Sequence, residues 1–397
     1  MAKEKTFEQE LEDAKSGNVE AQFVVAESYY YGHGVEENNK EAFQWALKAA
    51  EQGNADAQYL LGRCYYYGNG TEENDKQAIQ WFLMAALQGN ADAQMEISEL
   101  FWNEGHVEEA YKWGLEAAKQ GDIEAQTLVA QCYYKGDGVQ KNTKEAFQWW
   151  LKAAKQGDMG AQVIVATCYN EGEGVEKNEN NAFQWYLKAA EQGEVNAQYL
   201  VGQCYYLGNG TEENSDKSIQ WWLKAAEQNH GLAQEKIADC YYNGIGMEEN
   251  KERAFQWYLK AAEQGNASAQ YMIGDCYYFG YGTRKDKGEA YNWYSKAAEQ
   301  QYMAAVIKIG MMSDDIEKDS SEEKDYGFLE KVGNQIEKQN TIKDKAYSEG
   351  QRLSDNELIR KFKNTSGARK YGFAKVLEER GFLKKNSEGI LVPTTKF

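Results

Sequence analysis

The chain repeats itself every 36 residues. The pair Ala-Gln recurs in the same setting at Ala57-Gln58, Ala161-Gln162, Ala197-Gln198, Ala233-Gln234 and Ala269-Gln270, so one structural unit has been copied along most of the sequence. Eight copies open at Ala21, Ala57, Ala93, Ala125, Ala161, Ala197, Ala233 and Ala269, and every interval is 36 residues except the 32 between Ala93 and Ala125. The third copy is therefore the odd one.

Each copy reads as a first helix, such as residues 57–67, then usually a Gly-x-Gly loop such as Gly68-Asn69-Gly70, then a second helix ending in Ala-Ala-x-Gln-Gly. Glycine tolerates the positive φ that ends a helix. Asn38, Asn74, Asn142, Asn178, Asn214 and Asn250 stand where second helices should start, as N-caps. Glu41, Gln77, Glu145 and, three residues after Asp286, Glu289 are placed to return an acceptor to the cap's own amide, which predicts four capping boxes. Second helices carry an apolar stripe with helical spacing, for example Ala146, Trp149, Trp150, Ala153 and Ala154. One helix cannot bury that stripe alone. Helical pairs stacked on their neighbours can, which predicts an all-α, superhelical solenoid of about eight helix-turn-helix repeats with a long concave face.

The run Ala-x-x-x-Leu-Gly-x-x-Tyr-x-x-Gly-x-Gly followed by Ala-x-x-Trp-Tyr-x-Lys-Ala-Ala-Glu-Gln-Gly resembles the Sel1-like repeat, a 36-residue relative of the tetratricopeptide repeat. It stands here as Leu61, Gly62, Tyr65, Gly68 and Gly70, and as Trp185, Tyr186, Lys188, Ala189, Ala190, Glu191, Gln192 and Gly193. The resemblance covers about residues 18–304. It implies a right-handed superhelix used for scaffolding and protein binding, in bacteria often in signalling or host interaction, with no chemistry inherent in the repeat. The third copy departs from it: Asn103-Glu104-Gly105-His106 replaces the Gly-x-Gly loop, which predicts a shortened turn.

At 42% hydrophobic and 13% aromatic residues, a chain of 397 residues can bury an ample core, and its one proline, Pro393, lies outside the repeats. Residues 1–10 have no apolar signal-peptide core and no stretch reaches membrane-spanning length, so a cytoplasmic protein is expected, with no membrane partner. Cys64, Cys132, Cys168, Cys204, Cys240 and Cys276 share one repeat position, each on its own layer and too far from the next to bridge. Secreted cysteine-rich relatives of the Sel1-like family instead pair cysteines within one repeat, at a second position missing here. Reduced packing residues are the expectation.

The formal charge of -19 is uneven: residues 341–397 hold 13 Lys or Arg against 7 Asp or Glu, a balance of +6 that leaves -25 on the first 340 residues. Such an acidic solenoid repels nucleic acid and favours a basic partner, whereas the tail can do the reverse. The expected domains are a solenoid at 1–311, closed by a capping helix at 305–311, an acidic linker at 312–325 and a basic C-terminal domain at 326–397. In that domain Phe328, Leu329, Val332 and Ile336 fall at helical spacing, predicting a helix as far as about Gln339. Ser354 heads a helix through 362, residues 368–380 form a second closed by Gly381, and 382–385 with 390–393 read as a hairpin. Two helices followed by a hairpin resemble a small α+β winged helix-turn-helix. The resemblance implies Ser366, Arg369, Lys370, Tyr371 and Lys375 in a major groove and Lys384 and Lys385 on phosphate. Winged helices also dock proteins, so the tail is read as a module for double-stranded DNA or for protein.

Enzyme readings find little footing. His33, His106 and His230 sit in different repeat contexts without metal-ligand spacing, and the Gly-x-Gly loops follow helices and lack a P-loop lysine, so no catalytic residue, metal or cofactor is expected.

The binding groove is sought where residues vary between copies while packing positions stay fixed. One first-helix position reads Glu27, Arg63, Glu99, Gln131, Thr167, Gln203, Asp239 and Asp275. One turn to either side stand Tyr59, Tyr66, Tyr199, Tyr206, Tyr271 and Tyr278, either as groove anchors or as packing between layers. As a set they predict a groove for a basic or aromatic-bearing protein or peptide. The expected function is a non-enzymatic interaction scaffold. The competing reading is a DNA-binding regulator whose repeats sense a partner or oligomerise.

Overall fold

The computed structural model describes residues 5–319 and, further on, two short strands at 383–385 and 391–393. After α1 (Phe7–Lys15) first and second helices alternate along the described chain: α2 (Val19–Tyr31) then α3 (Asn39–Glu51), α4 (Ala55–Tyr67) then α5 (Asp75–Leu87), α6 (Ala91–Asn103) then α7 (Val107–Gln120), and α8 (Ile123–Lys135) then α9 (Thr143–Lys155). They continue with α10 (Met159–Glu171) and α11 (Glu179–Glu191), α12 (Val195–Leu207) and α13 (Ser215–Glu227), α14 (Gly231–Asn243) and α15 (Lys251–Glu263), and α16 (Ala267–Phe279) and α17 (Lys287–Glu299). Last comes α18 (Met303–Asp319). The chain divides into two compact units at 1–285 and 286–397, so α1 to α16 form the first, while α17 and α18 belong to the second. Within the first unit each helix packs against the helices before and after it in sequence. A core assembled from such neighbours grows by accretion of identical layers.

Local sequence explains the boundaries. The side chain of Asn178 accepts from the Asn181 amide, and Asn38, Asn74, Asn142, Asn214 and Asn250 cap their helices in the same way. The capping boxes expected at Glu41, Gln77 and Glu145 do not form, because the cap's own amide is already engaged. Asn38 donates to the Tyr29 carbonyl at 2.9 Å, Asn74 to Tyr65 at 2.8 Å and Asn142 to Tyr133 at 2.8 Å. That bond ties the start of each second helix to the end of the first and closes the hairpin. First helices have their own caps, Asn18, Asn54, Asn90, Asp122, Asp158, Glu194, His230 and Asn266, each accepting from the amide three residues on.

The two glycines of a loop do different work. Gly68 ends α4 at φ 70° in the left-handed region, whereas Gly70, at φ 76°, presses on the previous repeat: a Cβ there would lie 2.0 Å from the Asn39 carbonyl oxygen. A third kind of glycine makes room for a ring. A Cβ on Gly62 would meet Phe82 at 2.5 Å, and one on Gly202 would meet Trp222 at 2.4 Å. Successive repeats then lock through edge-to-face pairs, Phe43 with Tyr65, Phe147 with Tyr169 and Phe183 with Tyr205, at ring centroid separations of 5.4, 5.2 and 5.2 Å.

A track of glutamines runs through this core. The recurring glutamine of each Ala-Gln pair is buried, and its amide nitrogen reaches back to the previous second helix: Gln58 to the Ala50 carbonyl at 3.2 Å, Gln162 to Ala154 at 3.2 Å. Its amide oxygen accepts from the glutamine that ends its own repeat's second helix, Gln88 to Gln58 at 2.7 Å and Gln192 to Gln162 at 2.8 Å. Each buried amide thus ties three consecutive helices and leaves neither end unpaired. The track continues through the shortened third repeat, where Gln120 donates to Gln94 at 2.9 Å. There the C-cap of α6, Glu104, is in the right-handed region rather than a left-handed glycine, and His106 makes no side-chain cap bond.

In the second unit α17 packs on α18. Helix α18 starts close to the expected capping helix but runs on to Asp319, through the first part of the expected linker at 312–325; no glycine or proline interrupts residues 311–319. Strands β1 (Leu383–Lys385) and β2 (Leu391–Pro393) pair antiparallel, with Leu383 opposite Pro393 and Lys385 opposite Leu391. The helices expected up to 339, at 354–362 and at 368–380 lie outside the described residues. A pair of three-residue strands does not support a winged helix, and the architecture that stands is the all-α repeat stack.

Candidate partner-binding face

Of the expected groove residues, the structure gathers Tyr59, Arg63 and Tyr66 of α4 with the end of α2. The Arg63 guanidinium lies 5.3 Å from the centroid of the Tyr30 ring and 5.9 Å from those of Tyr59 and Tyr67, and it donates to the Tyr31 hydroxyl at 2.9 Å. Arg63 is the one cation among the eight residues at this repeat position. Around it stand carboxylates of α6. Burial raises the pKa of Asp92 and Glu96, with Asp122 and Asp56 adding repulsion at Asp92 and Glu99 adding it at Glu96, while the Arg63 charge opposes the rise at both. Among the described residues, none of Asp92, Glu96 and Glu99 forms an ion pair with Arg63.

Elsewhere the variable position answers to its own second helix. The Tyr258 hydroxyl donates to Asp239 Oδ1 at 2.6 Å, and the Tyr186 hydroxyl lies 3.0 Å from Thr167 Oγ1. The equivalent rings in α5, α9 and α13 are Phe82, Trp150 and Trp222, and there the variable residue is Arg63, Gln131 or Gln203. Gln203 turns to its own helix instead and donates to the Tyr199 hydroxyl at 3.0 Å. Variation at this position therefore marks a packing pair at Thr167 and Asp239, while Glu99 and Gln131 are exposed and Glu27 and Asp275 half-buried.

Asp239 carries a testable consequence. Burial raises its pKa, outweighing the opposing Tyr258 hydrogen bond and Lys236 charge. The folded chain thus binds this proton more tightly than the unfolded one, so the stabilisation is present at low pH and lost as pH rises through the folded pKa. Asp239→Asn should flatten that part of the stability-against-pH curve, as followed by urea unfolding at a series of pH values.

The tyrosines divide by exposure. Tyr59, Tyr199, Tyr271 and Tyr278 are half-buried between layers, whereas Tyr66 and Tyr206 present 39% and 42% of their surface. The residues next along, just before the glycine that ends the helix, are as open or more so: Tyr31 47%, Tyr67 56%, Leu207 59% and Phe279 40%. Sequence reading passed over them. The copy-to-copy variability that singled out Arg63 also holds at this position, which reads Tyr31, Tyr67, Asn103, Lys135, Glu171, Leu207, Asn243 and Phe279.

The Sel1 repeat model matches residues 19–54, 55–90, 107–122, 123–158, 160–194, 195–230, 231–266 and 267–302. The chain belongs to the Sel1 repeat family. Its eight matched segments are the eight copies, and in the third only the second helix is matched, the half that lies beyond the shortened turn. Among solved structures, the chain is similar to a protective antigen present in uropathogenic Escherichia coli strains that displays an SLR fold, with 29% identity, 94% of this chain and 79% of that one covered, and a TM-score of 0.74. It is also similar to a Sel1 repeat protein from Oxalobacter formigenes, with 28% identity, 77% and 89% covered, and a TM-score of 0.58. No curated protein matches the chain.

In these Sel1 repeats the histidines have structural positions. His33 stacks on Tyr31 at 5.6 Å, His106 meets the edge of Phe101 at 6.1 Å, and His230 accepts the Ala233 amide on Nδ1 at 3.2 Å. Burial lowers the His230 pKa, which keeps that nitrogen an acceptor. The six cysteines are free, each within its own repeat, and burial pushes the thiols of Cys64 and Cys276 up to about 12 and those of Cys132, Cys168, Cys204 and Cys240 up to about 11. Thiols so held are protonated and poor nucleophiles at neutral pH. Among the described residues no helix is long and apolar enough to cross a membrane. Of the nucleic-acid candidates, Ser366, Arg369, Lys370, Tyr371 and Lys375 lie outside the described residues, and Lys384 and Lys385 are on β1.

Proposed function

We propose that this Sel1 repeat protein is a non-catalytic scaffold that binds a basic, aromatic-bearing protein segment on the face formed by its first helices. Sel1 repeats are typically protein-interaction scaffolds, and the observation that carries the finer reading is the exposure of Tyr31, Tyr66 and Tyr67 at the ends of α2 and α4, on a surface where Asp92 and Glu96 lie near Arg63 and Tyr59. Open tyrosines supply anchor area at little entropic cost, and carboxylates left without an ion pair select the sign of the partner. Titrating the full chain with a fluorescent Lys-rich, Trp-bearing peptide and with its Glu-rich counterpart tests this. The basic peptide should bind at least about tenfold more tightly, and Tyr66→Ala with Tyr67→Ala should weaken it about tenfold. Equal binding of the two peptides would sink the reading.

A second reading has its own observation. Lys384 and Lys385 are adjacent on β1 in a tail of charge +6, a sign that attracts phosphate. It requires the full chain to bind a mixed-sequence duplex with an affinity that falls steeply with salt.

A further inference from the structure

Among the described residues, the open apolar side chains at the ends of the first helices fall into two groups, while Met159 and Leu232 are open at the starts of α10 and α14. Tyr31, Tyr66 and Tyr67 form one at the ends of α2 and α4, and Tyr206 and Leu207 form the other at the end of α12, with Phe279 two first helices further on at the end of α16. Between them, the third to fifth repeats offer Asn103, Lys135 and Glu171 at the outer of the two positions. At the inner one, Tyr134 is covered: its ring lies 5.5 Å from that of Trp150, Lys141 stands over it at 5.5 Å, and its hydroxyl is 3.4 Å from Glu173. Among the described residues from 88 to 205, Met159 is the one large apolar side chain that is exposed.

Resting on the protein-binding reading above, we propose that the face holds its partner at two separated aromatic stations, and that the partner is a basic polypeptide with two apolar anchors. Charge supports the sign at the first station. Near it Asp92 and Glu96 lie by Arg63 and Tyr59, and Arg63 itself is held by the Tyr31 hydroxyl. The stretch between is mixed in sign, with Glu171 and Glu173 against Lys135 and Lys141. Near the second, the cation Lys251 is spent internally, 3.5 Å over the Tyr242 ring and 3.1 Å from Glu249. Spacing sets the length. With neighbouring first helices about 10 Å apart, the four steps from α4 to α12 span roughly 40 Å, which an extended strand covers with about 12 residues.

The test uses the full chain and labelled synthetic peptides carrying one Lys-Trp-Lys anchor, or two joined by neutral Gly-Ser linkers of about 5 or about 20 residues. The long-linked peptide should bind at least about tenfold more tightly than the single anchor, and the short-linked one within about twofold of it, because its linker cannot reach. Tyr66→Ala with Tyr67→Ala, or Tyr206→Ala with Leu207→Ala, should each return the long-linked peptide to single-anchor affinity. Equal binding of short- and long-linked peptides to the unaltered chain would overturn the two-station proposal and leave the scaffold reading standing. Absence of single-anchor binding would overturn both.

Discussion

Gly70→Ala is expected to destabilise the repeat stack by about 3 kcal/mol or more, and Gly53→Ala by only about 1 kcal/mol. Both glycines have positive φ, 76° and 93°, so both substitutions strain the backbone. At Gly53 nothing lies within 4 Å of the added Cβ, whereas at Gly70 the Cβ would stand 2.0 Å from the Asn39 carbonyl oxygen and 2.6 Å from its carbon. Those are backbone atoms in the first turn of α3 and cannot swing aside as a side chain would. Chemical unfolding of both variants isolates the close approach between repeats, since the strain is common to them. Equal losses would mean that the second glycine of the loop is there for its dihedral alone.

Gln162→Ala is the second large effect, expected at about 3 kcal/mol from a cavity and two lost hydrogen bonds. The bonds go to different helices, the Ala154 carbonyl at the end of α9 and the Gln192 amide after α11, with Gln162 itself on α10. Amide exchange should therefore quicken at the ends of both α9 and α11. A change confined to α10, or a loss below about 0.5 kcal/mol, would deny the glutamine track its role as the tie between layers.

The helices, their caps and the number of copies were legible because each rests on local chemistry repeated at a fixed interval. An asparagine before a second helix and a glycine after a first one act within three residues of themselves. The Ala-Gln pair was conspicuous but its meaning was not, since the partners of Gln162 lie eight residues before it and thirty after. A signal did exist: Gln52, Gln88, Gln156, Gln192, Gln228 and Gln264 each follow a buried glutamine by thirty residues. The capping boxes failed for a related reason. Sequence shows a glutamate in reach of the cap amide but does not show that a tyrosine carbonyl of the previous helix already occupies it, as Tyr29 does at Asn38. At the candidate face, variability picked out Arg63, which the structure sets among tyrosines, and equally Thr167 and Asp239, which bond to the hydroxyls of Tyr186 and Tyr258, because a changing packing partner varies a position as readily as a changing ligand does.

Hydrogen–deuterium exchange of the full chain with and without a saturating Lys-rich, Trp-bearing peptide tests the central claim most directly. Binding through the first-helix face predicts new protection at the ends of α2, α4, α12 and α16 and in the loops that follow them, with the second helices unchanged. Protection confined to second helices, or to residues 383–393, would contradict it.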